Sequence, residues 1–167
     1  AALLGRSLLT LQSIGGRLAS DRLLLVSLSL PQYADRARRV DLMNQLVERL
    51  ETVPGVAAAT PVNATPFSGL GWDVPTYTAE GQARERAAAN PSLNLEEIHP
   101  NYFKAFELPL VRGRTFTTGD RDGAPLVAIV SEDVARRTWP GQDPIGKRIK
   151  MGDADSRDPW RTVVGVV

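Results

Sequence analysis

The side chains able to do chemistry are few in this chain, and their spacing groups them poorly. There is one histidine, His99, and no cysteine. A thiolate nucleophile, a thiolate metal site and a disulfide framework are therefore absent from the sequence, and zinc centres, which take several His or Cys ligands, are disfavoured. His99 stands directly before Pro100-Asn101-Tyr102-Phe103 with no serine or carboxylate set beside it by a local motif. That position suits a cap or surface role better than a general base. Glu96 and Glu97 are adjacent, so on a strand they point to opposite faces and cannot form a glycosidase pair with each other. Ser68-Gly69-Leu70-Gly71 lacks the Gly-Lys-Ser/Thr end of a phosphate loop and the third glycine of a dinucleotide fingerprint, which leaves a surface turn. Asp153 to Asp158 begins like a calcium loop, but Arg157 occupies the third ligand position and no bidentate glutamate follows, so a solvated hairpin turn is expected. Tyr102, Phe103 and Phe106 could stack on bases only beside a basic groove, which their surroundings do not supply; core packing is their expected role. The residues thus predict no catalytic, cofactor-binding or metal site, and a protein that is not itself an enzyme.

Elements that would hold these residues follow from periodicity. Leu4, Leu8 and Leu11 predict a short amphipathic helix over 1–14, ended at Gly15-Gly16. Leu23 to Leu30 alternates as a strand with one buried face. From Asp35 to Thr52 the positions Val40, Met43, Leu46, Val47 and Leu50 keep a helical period, and Pro54-Gly55 stops it. Val56 to Val62 reads as a further strand, so 23–62 predicts a βαβ unit. The stretch 63–73 reads as loop, Val74 to Glu80 as strand, 81–92 as a polar Ala/Arg-rich connector and Leu93 to Ile98 as strand. Pro100 opens a short helix with His99 as its N-cap. Leu126 to Val130 is a strand, Ser131 caps a helix with Glu132 and Asp133 in its first turn, and Pro140-Gly141 ends it. Lys147–Met151 and Trp160–Val167 form a hairpin across a polar turn.

At 167 residues with 43% hydrophobic and 23% charged side chains, the composition is that of a globular chain about one domain long, with room for two small lobes. The 20 basic and 19 acidic residues give a net charge of +1, which offers no global attraction to nucleic acid or an anionic membrane. Apolar runs such as Leu23-Leu24-Leu25-Val26 are strand-sized, far below a membrane span, so the polypeptide as given reads as soluble. It begins without Met and ends inside a β-like run, and it reads as a fragment of a longer protein.

The most specific signal is a set of ordered segments. Val130-Ser131-Glu132, Ala135-Arg136-Arg137 and Trp139-Pro140-Gly141-Gln142-Asp143-Pro144-Ile145-Gly146-Lys147-Arg148-Ile149 resemble the periplasmic core domain of MacB-like, FtsX-like ABC transporter permeases. Matching segments upstream are Leu28-Ser29-Leu30-Pro31, Leu50 through Val53-Pro54-Gly55-Val56, Pro100-Asn101-Tyr102-Phe103, and Leu108-Pro109-Leu110-Val111-Arg112-Gly113-Arg114 with Phe116. The closing Trp160-Arg161-Thr162-Val163-Val164-Gly165-Val166-Val167 also fits, whereas His99 stands where Ser or Thr is expected. The resemblance implies an α+β fold with two lobes. A porter-like lobe of βαβ units would comprise 16–62 and 120–167, a mixed α/β, sabre-like lobe would be inserted at 63–119, and 1–15 would be an N-terminal stalk helix. It also implies a non-enzymatic domain on the periplasmic face of the bacterial inner membrane, working with its own transmembrane helices and a cytoplasmic ATPase. A dimer in the parent and a periplasmic adaptor or exported substrate go with that reading, and nucleic acid does not. The competing expectation is a secreted hydrolase or ligand-binding domain.

Overall fold

The computed structural model describes residues 22–28, 35–63 and 72–167. The chain divides into two compact units, one drawn from residues up to Ala59 together with Phe103–Leu108, the other from Thr60–Tyr102 and Pro109–Val167. The fold is mixed α+β, with one helix of 16 residues, several short ones and two sheets among the described residues.

The first unit is built on helix α1, Arg36–Glu51. Asp35 caps it by accepting the Arg38 N–H at 2.9 Å, and the Thr52 hydroxyl closes the other end on the Arg49 carbonyl at 2.7 Å. Val47 is buried, Met43 and Leu46 are half-buried, and Val40 and Leu50, at the two ends of the stripe, stay exposed. The helix is the predicted one, but its flanking strands are absent. Residues 23–28 carry no strand and are exposed, Leu24 by 88%, and 56–62 carry none either. Alternation states which residues suit a one-sided sheet, whereas a strand exists only where a neighbour takes its N–H and C=O groups, and among the described residues none does so for these stretches. Among the described residues the βαβ reading of 23–62 keeps its helix and shows neither strand. The expected helix at 1–14 and the loop at Ser68–Gly71 lie outside the described residues.

The second unit centres on β7, Arg161–Val166, whose Val163 is fully buried. It pairs antiparallel with β6, Arg148–Met151, through Arg148↔Thr162 and Ile149↔Arg161, as the predicted hairpin requires. It pairs parallel with β5, Val127–Val130, and the register shifts between Ala128 and Ile129. Parallel neighbours cannot be joined by a tight turn, and helix α4, Glu132–Thr138, lies in the crossover between them. Ser131 caps α4 by accepting the Val134 N–H at 3.3 Å, with Glu132 and Asp133 in the first turn as expected. The sheet is completed by β4, Arg112–Gly113, antiparallel to β7, and by β2, Tyr77–Ala79, antiparallel to β6. The sheet thus draws strands from both sides of residue 119.

The single strand expected at 74–80 is two strands divided at Pro75, which has no N–H to donate. The first, β1 (Trp72–Val74), forms a separate ribbon with β3 (Leu93–Leu95). The expected connector carries helix α2, Arg84–Ala88, packed on β2. Tyr77, Ala79, Val130, Ala135, Trp139, Ile149, Val163 and Val166 form the core of this unit, with Leu93, Ala128, Val134 and Ile145 packed against it.

Candidate functional site

The segment with the most specific sequence signal, Trp139 to Ile149, leads from α4 into β6. Trp139 is buried in the core, and its indole Nε1 has no hydrogen-bond partner among the described residues. Pro144 is buried beside the turn. Asp143 accepts the Ile145 N–H at 3.0 Å and pairs with Arg112 at 3.5 Å. That N–H, with Arg112 and Lys147 in support, holds the Asp143 carboxyl below its ordinary value. Gly146, at φ +83°, donates to the Val163 carbonyl at 2.8 Å, and Lys147 accepts from the Val163 N–H at 2.8 Å. The turn is thus stitched to the central strand on both sides. Ile145 reaches the core from the same turn.

Beside it lies a cleft of about 290 Å³, lined among others by Val111, Arg112, Glu132, Arg136, Trp139 and Pro144. Its two guanidinium groups are paired with carboxylates, Arg112 with Asp143 and Arg136 with Asp133 at 3.3 Å. The cleft brings together no nucleophile, base and orienting acid, and its chemistry is that of a surface contact.

The remaining residues singled out from sequence fall as follows. His99 accepts the Asn101 N–H on Nδ1 at 3.2 Å, and its carbonyl accepts from Tyr102 at 2.9 Å, so it closes the turn that enters α3, Tyr102–Ala105. His99 is thus not the N-cap of α3 but stands three residues before its first helical residue, closing the turn that leads in. Tyr102, Phe103 and Phe106 are buried, as expected. Glu96 accepts the Tyr102 hydroxyl at 3.0 Å, and burial together with that carboxylate raises the phenol well above its ordinary value. The Asp153–Asp158 loop is occupied by the protein's own cation. Lys150 is buried, and its ammonium donates to the Ala154 and Ser156 carbonyls at 2.8 Å each and lies 5.2 Å from the Trp160 ring. Among the described residues no group of three or more His, Cys, Asp or Glu is placed to hold a metal, and no helix is long and apolar enough to cross a membrane.

Sequence reasoning missed two positioning pairs. Gly113 and Gly165 face each other across β4 and β7, and a Cβ on Gly113 would stand 2.2 Å from the Val164 carbonyl oxygen while one on Gly165 would stand 2.3 Å from that of Arg114. Their isolation as single glycines inside apolar or basic runs was the available signal. Asp120 is held by a forked Arg114 contact at 2.7 and 2.9 Å and by the Thr117 N–H at 2.8 Å, which pins the loop after β4.

Comparison with known proteins adds the family. The periplasmic region of MacB from Actinobacillus actinomycetemcomitans is 19% identical over 75% of this chain and 50% of that one, with a TM-score of 0.43. The extracellular domain of the noncanonic ABC-type transporter YknZ from Gram-positive bacteria is 22% identical over 74% of this chain and 56% of that one, with a TM-score of 0.45. The chain therefore spans about half the length of these solved structures. No curated protein matches it. The family model for the MacB-like periplasmic core domain matches residues 7–167, and on that match the chain belongs to the MacB-like periplasmic core domain family.

Proposed function

We propose that this chain is the extracytoplasmic domain of an ABC transporter permease, and that it carries motion driven by cytoplasmic ATP hydrolysis to a substrate or partner outside the membrane. The observation that supports this reading is the family match over residues 7–167. The turn after α4 suits the role. It is tied to the centre of β7 by two backbone hydrogen bonds and to the core by Trp139 and Ile145, so a displacement applied to α4 moves the sheet with it. The chain does no chemistry of its own in this account, and the ATPase, the membrane helices and the inner-membrane address belong to the parent. Residues 1–15 serve as the stalk, 16–62 and 120–167 as the porter-like lobe and 63–119 as the inserted sabre-like lobe, whose β2 and β4 join the sheet of β5, β6 and β7, and the parent works as a dimer.

Two measurements test the reading. The parent reading frame is expected to encode apolar spans of about 20 residues flanking this domain and an ATPase fused to it or beside it. Calorimetric titration of the domain with Mg-ATP is expected to be flat, since no phosphate-cradling loop is present. Micromolar ATP binding, or a parent without membrane spans, overturns the proposal.

A further inference from the structure

Asp122 and Gly123 form the single Asp–Gly pair in the chain, and no Asn–Gly pair accompanies it. They stand at the tip of a β-turn closed by the Ala124 N–H on the Arg121 carbonyl at 2.9 Å, with Gly123 at φ +87° as its third residue. Both residues are exposed, and nothing lies within 4 Å of a Cβ built on Gly123. Among the described residues the Asp122 carboxylate has no ion-pair or hydrogen-bond partner, and the Gly123 N–H donates to no carbonyl. A carboxyl group one residue before an amide that is neither bonded nor shielded by a side chain can reach that amide's nitrogen.

Each of the other described aspartates is denied one of these conditions. Asp143 and Asp158 precede prolines, which have no N–H. Asp41 and Asp133 sit inside α1 and α4, and Asp73 inside β1, where the main chain is held by its ladder. The carboxylate of Asp35 accepts the Arg38 N–H at 2.9 Å, and that of Asp120 is gripped by Arg114 at 2.7 Å. Asp153 accepts the Asp155 N–H at 3.0 Å, Asp155 pairs with Arg84, and the Ser156 N–H after it is bonded to the Asp153 carbonyl at 3.1 Å.

We propose that Asp122 is a self-modification site, at which aspartate converts to isoaspartate through its own backbone. The Gly123 nitrogen bonds to the Asp122 side-chain carboxyl carbon, and its hydrogen leaves with the carboxyl hydroxyl as water, closing a five-membered succinimide. Water then opens the ring. Attack at the side-chain carbonyl returns aspartate, whereas attack at the main-chain carbonyl leaves the chain running through the former side chain, with one more carbon in the main chain and a free α-carboxylate. That carboxylate is the group isoaspartyl methyltransferases esterify, which names the class of enzyme that would take the product. The Arg114–Asp120 contact before the turn and β5 after it are fixed by their own bonds, so the added atom is taken up within the turn.

The test ages the purified parent protein for weeks in warm neutral buffer made with oxygen-18 water, then digests and maps it. Heavy oxygen is expected in the peptide that carries residue 122, because each passage through the succinimide takes up one oxygen from water, and isoaspartate is expected at that position. Asp122→Glu is expected to abolish both signals, since its ring would have six members and closes slowly. Asp122→Asn is expected to reach the same isoaspartate several-fold faster, releasing ammonia where the aspartate releases water. No heavy oxygen at residue 122, or equal uptake in the peptide of Asp153 and Asp155, overturns the proposal. So does isoaspartate that forms at 122 only after the chain is unfolded in urea, for then the turn protects the pair.

Discussion

Gly113 and Gly146 both sit at positive φ, yet they answer to different constraints. At Gly146 the backbone angle alone resists a side chain, because nothing lies within 4 Å of a built Cβ. At Gly113 the same angle is joined by the Val164 carbonyl oxygen at 2.2 Å and the Ile145 Cδ1 at 2.8 Å, and the first is backbone. Gly146→Ala is therefore expected to cost about 1 kcal/mol and lower Tm by about 2–4 °C. Gly113→Ala is expected to cost about 3 kcal/mol, with a proportionally larger loss of Tm. Equal melting curves for the two variants would show that the β4–β7 approach is looser than described. Asp120 supplies a second test, through pH. The Arg114 guanidinium, helped by the Thr117 N–H and hydroxyl, holds its carboxyl well below the usual carboxylate range. A depressed folded-state value means that the stabilisation is fully present above the unfolded value of about 4 and is lost progressively as pH falls from there through the lower folded-state value. Thermal melts of Asp120→Asn are expected to fall below those of the parent chain at pH 7 and to converge with them on acidification below about pH 4.

Helix α3 ends on a residue that most helices avoid there. The Leu108 N–H returns to the Phe103 carbonyl at 2.9 Å and the Glu107 N–H to that of Lys104 at 3.2 Å, the pair of bonds that defines a Schellman close, with Glu107 at φ +52° in the place usually given to glycine. Glu107→Gly relieves that conformation and, among the described residues, forfeits the exposed Arg22 pair, and is expected to raise Tm by about 2–4 °C, for a gain of about 1 kcal/mol. A lower Tm would mean that the Arg22 pair outweighs the strain. No feature of the sequence marks Glu107, because the strain arises from where the chain must go next. What could be read beforehand was local. Asp35 to Thr52, Ser131 with its acidic first turn, and the hairpin of β6 and β7 all follow from caps and period. Residues 23–28 and 56–62 failed because a strand needs a partner that its own pattern cannot name. The split at Pro75 has its mark in the sequence, since proline has no N–H to give a ladder. The candidate site was legible as a turn, while its stitching to Val163 depends on a strand close to 20 residues away.

The whole domain, as proposed, takes its motion from the parent transporter. Removing residues 1–14, assigned to the stalk, is expected to leave the stability of the domain within about 1 kcal/mol and to reduce any self-association, measured by denaturation and sedimentation. Unfolding of the truncated chain would place that segment in the core instead. The chain contains no cysteine, so a single engineered one is unique within it, and Asp122 is exposed and offers a site for a spin label. In the reconstituted parent, proposed to be a dimer, carrying Asp122→Cys with its label, the distance distribution between the two copies of this domain is expected to shift between the nucleotide-free and ATP-trapped states. An unchanged distribution in a transporter that hydrolyses ATP normally would contradict the claim that this domain carries the motion.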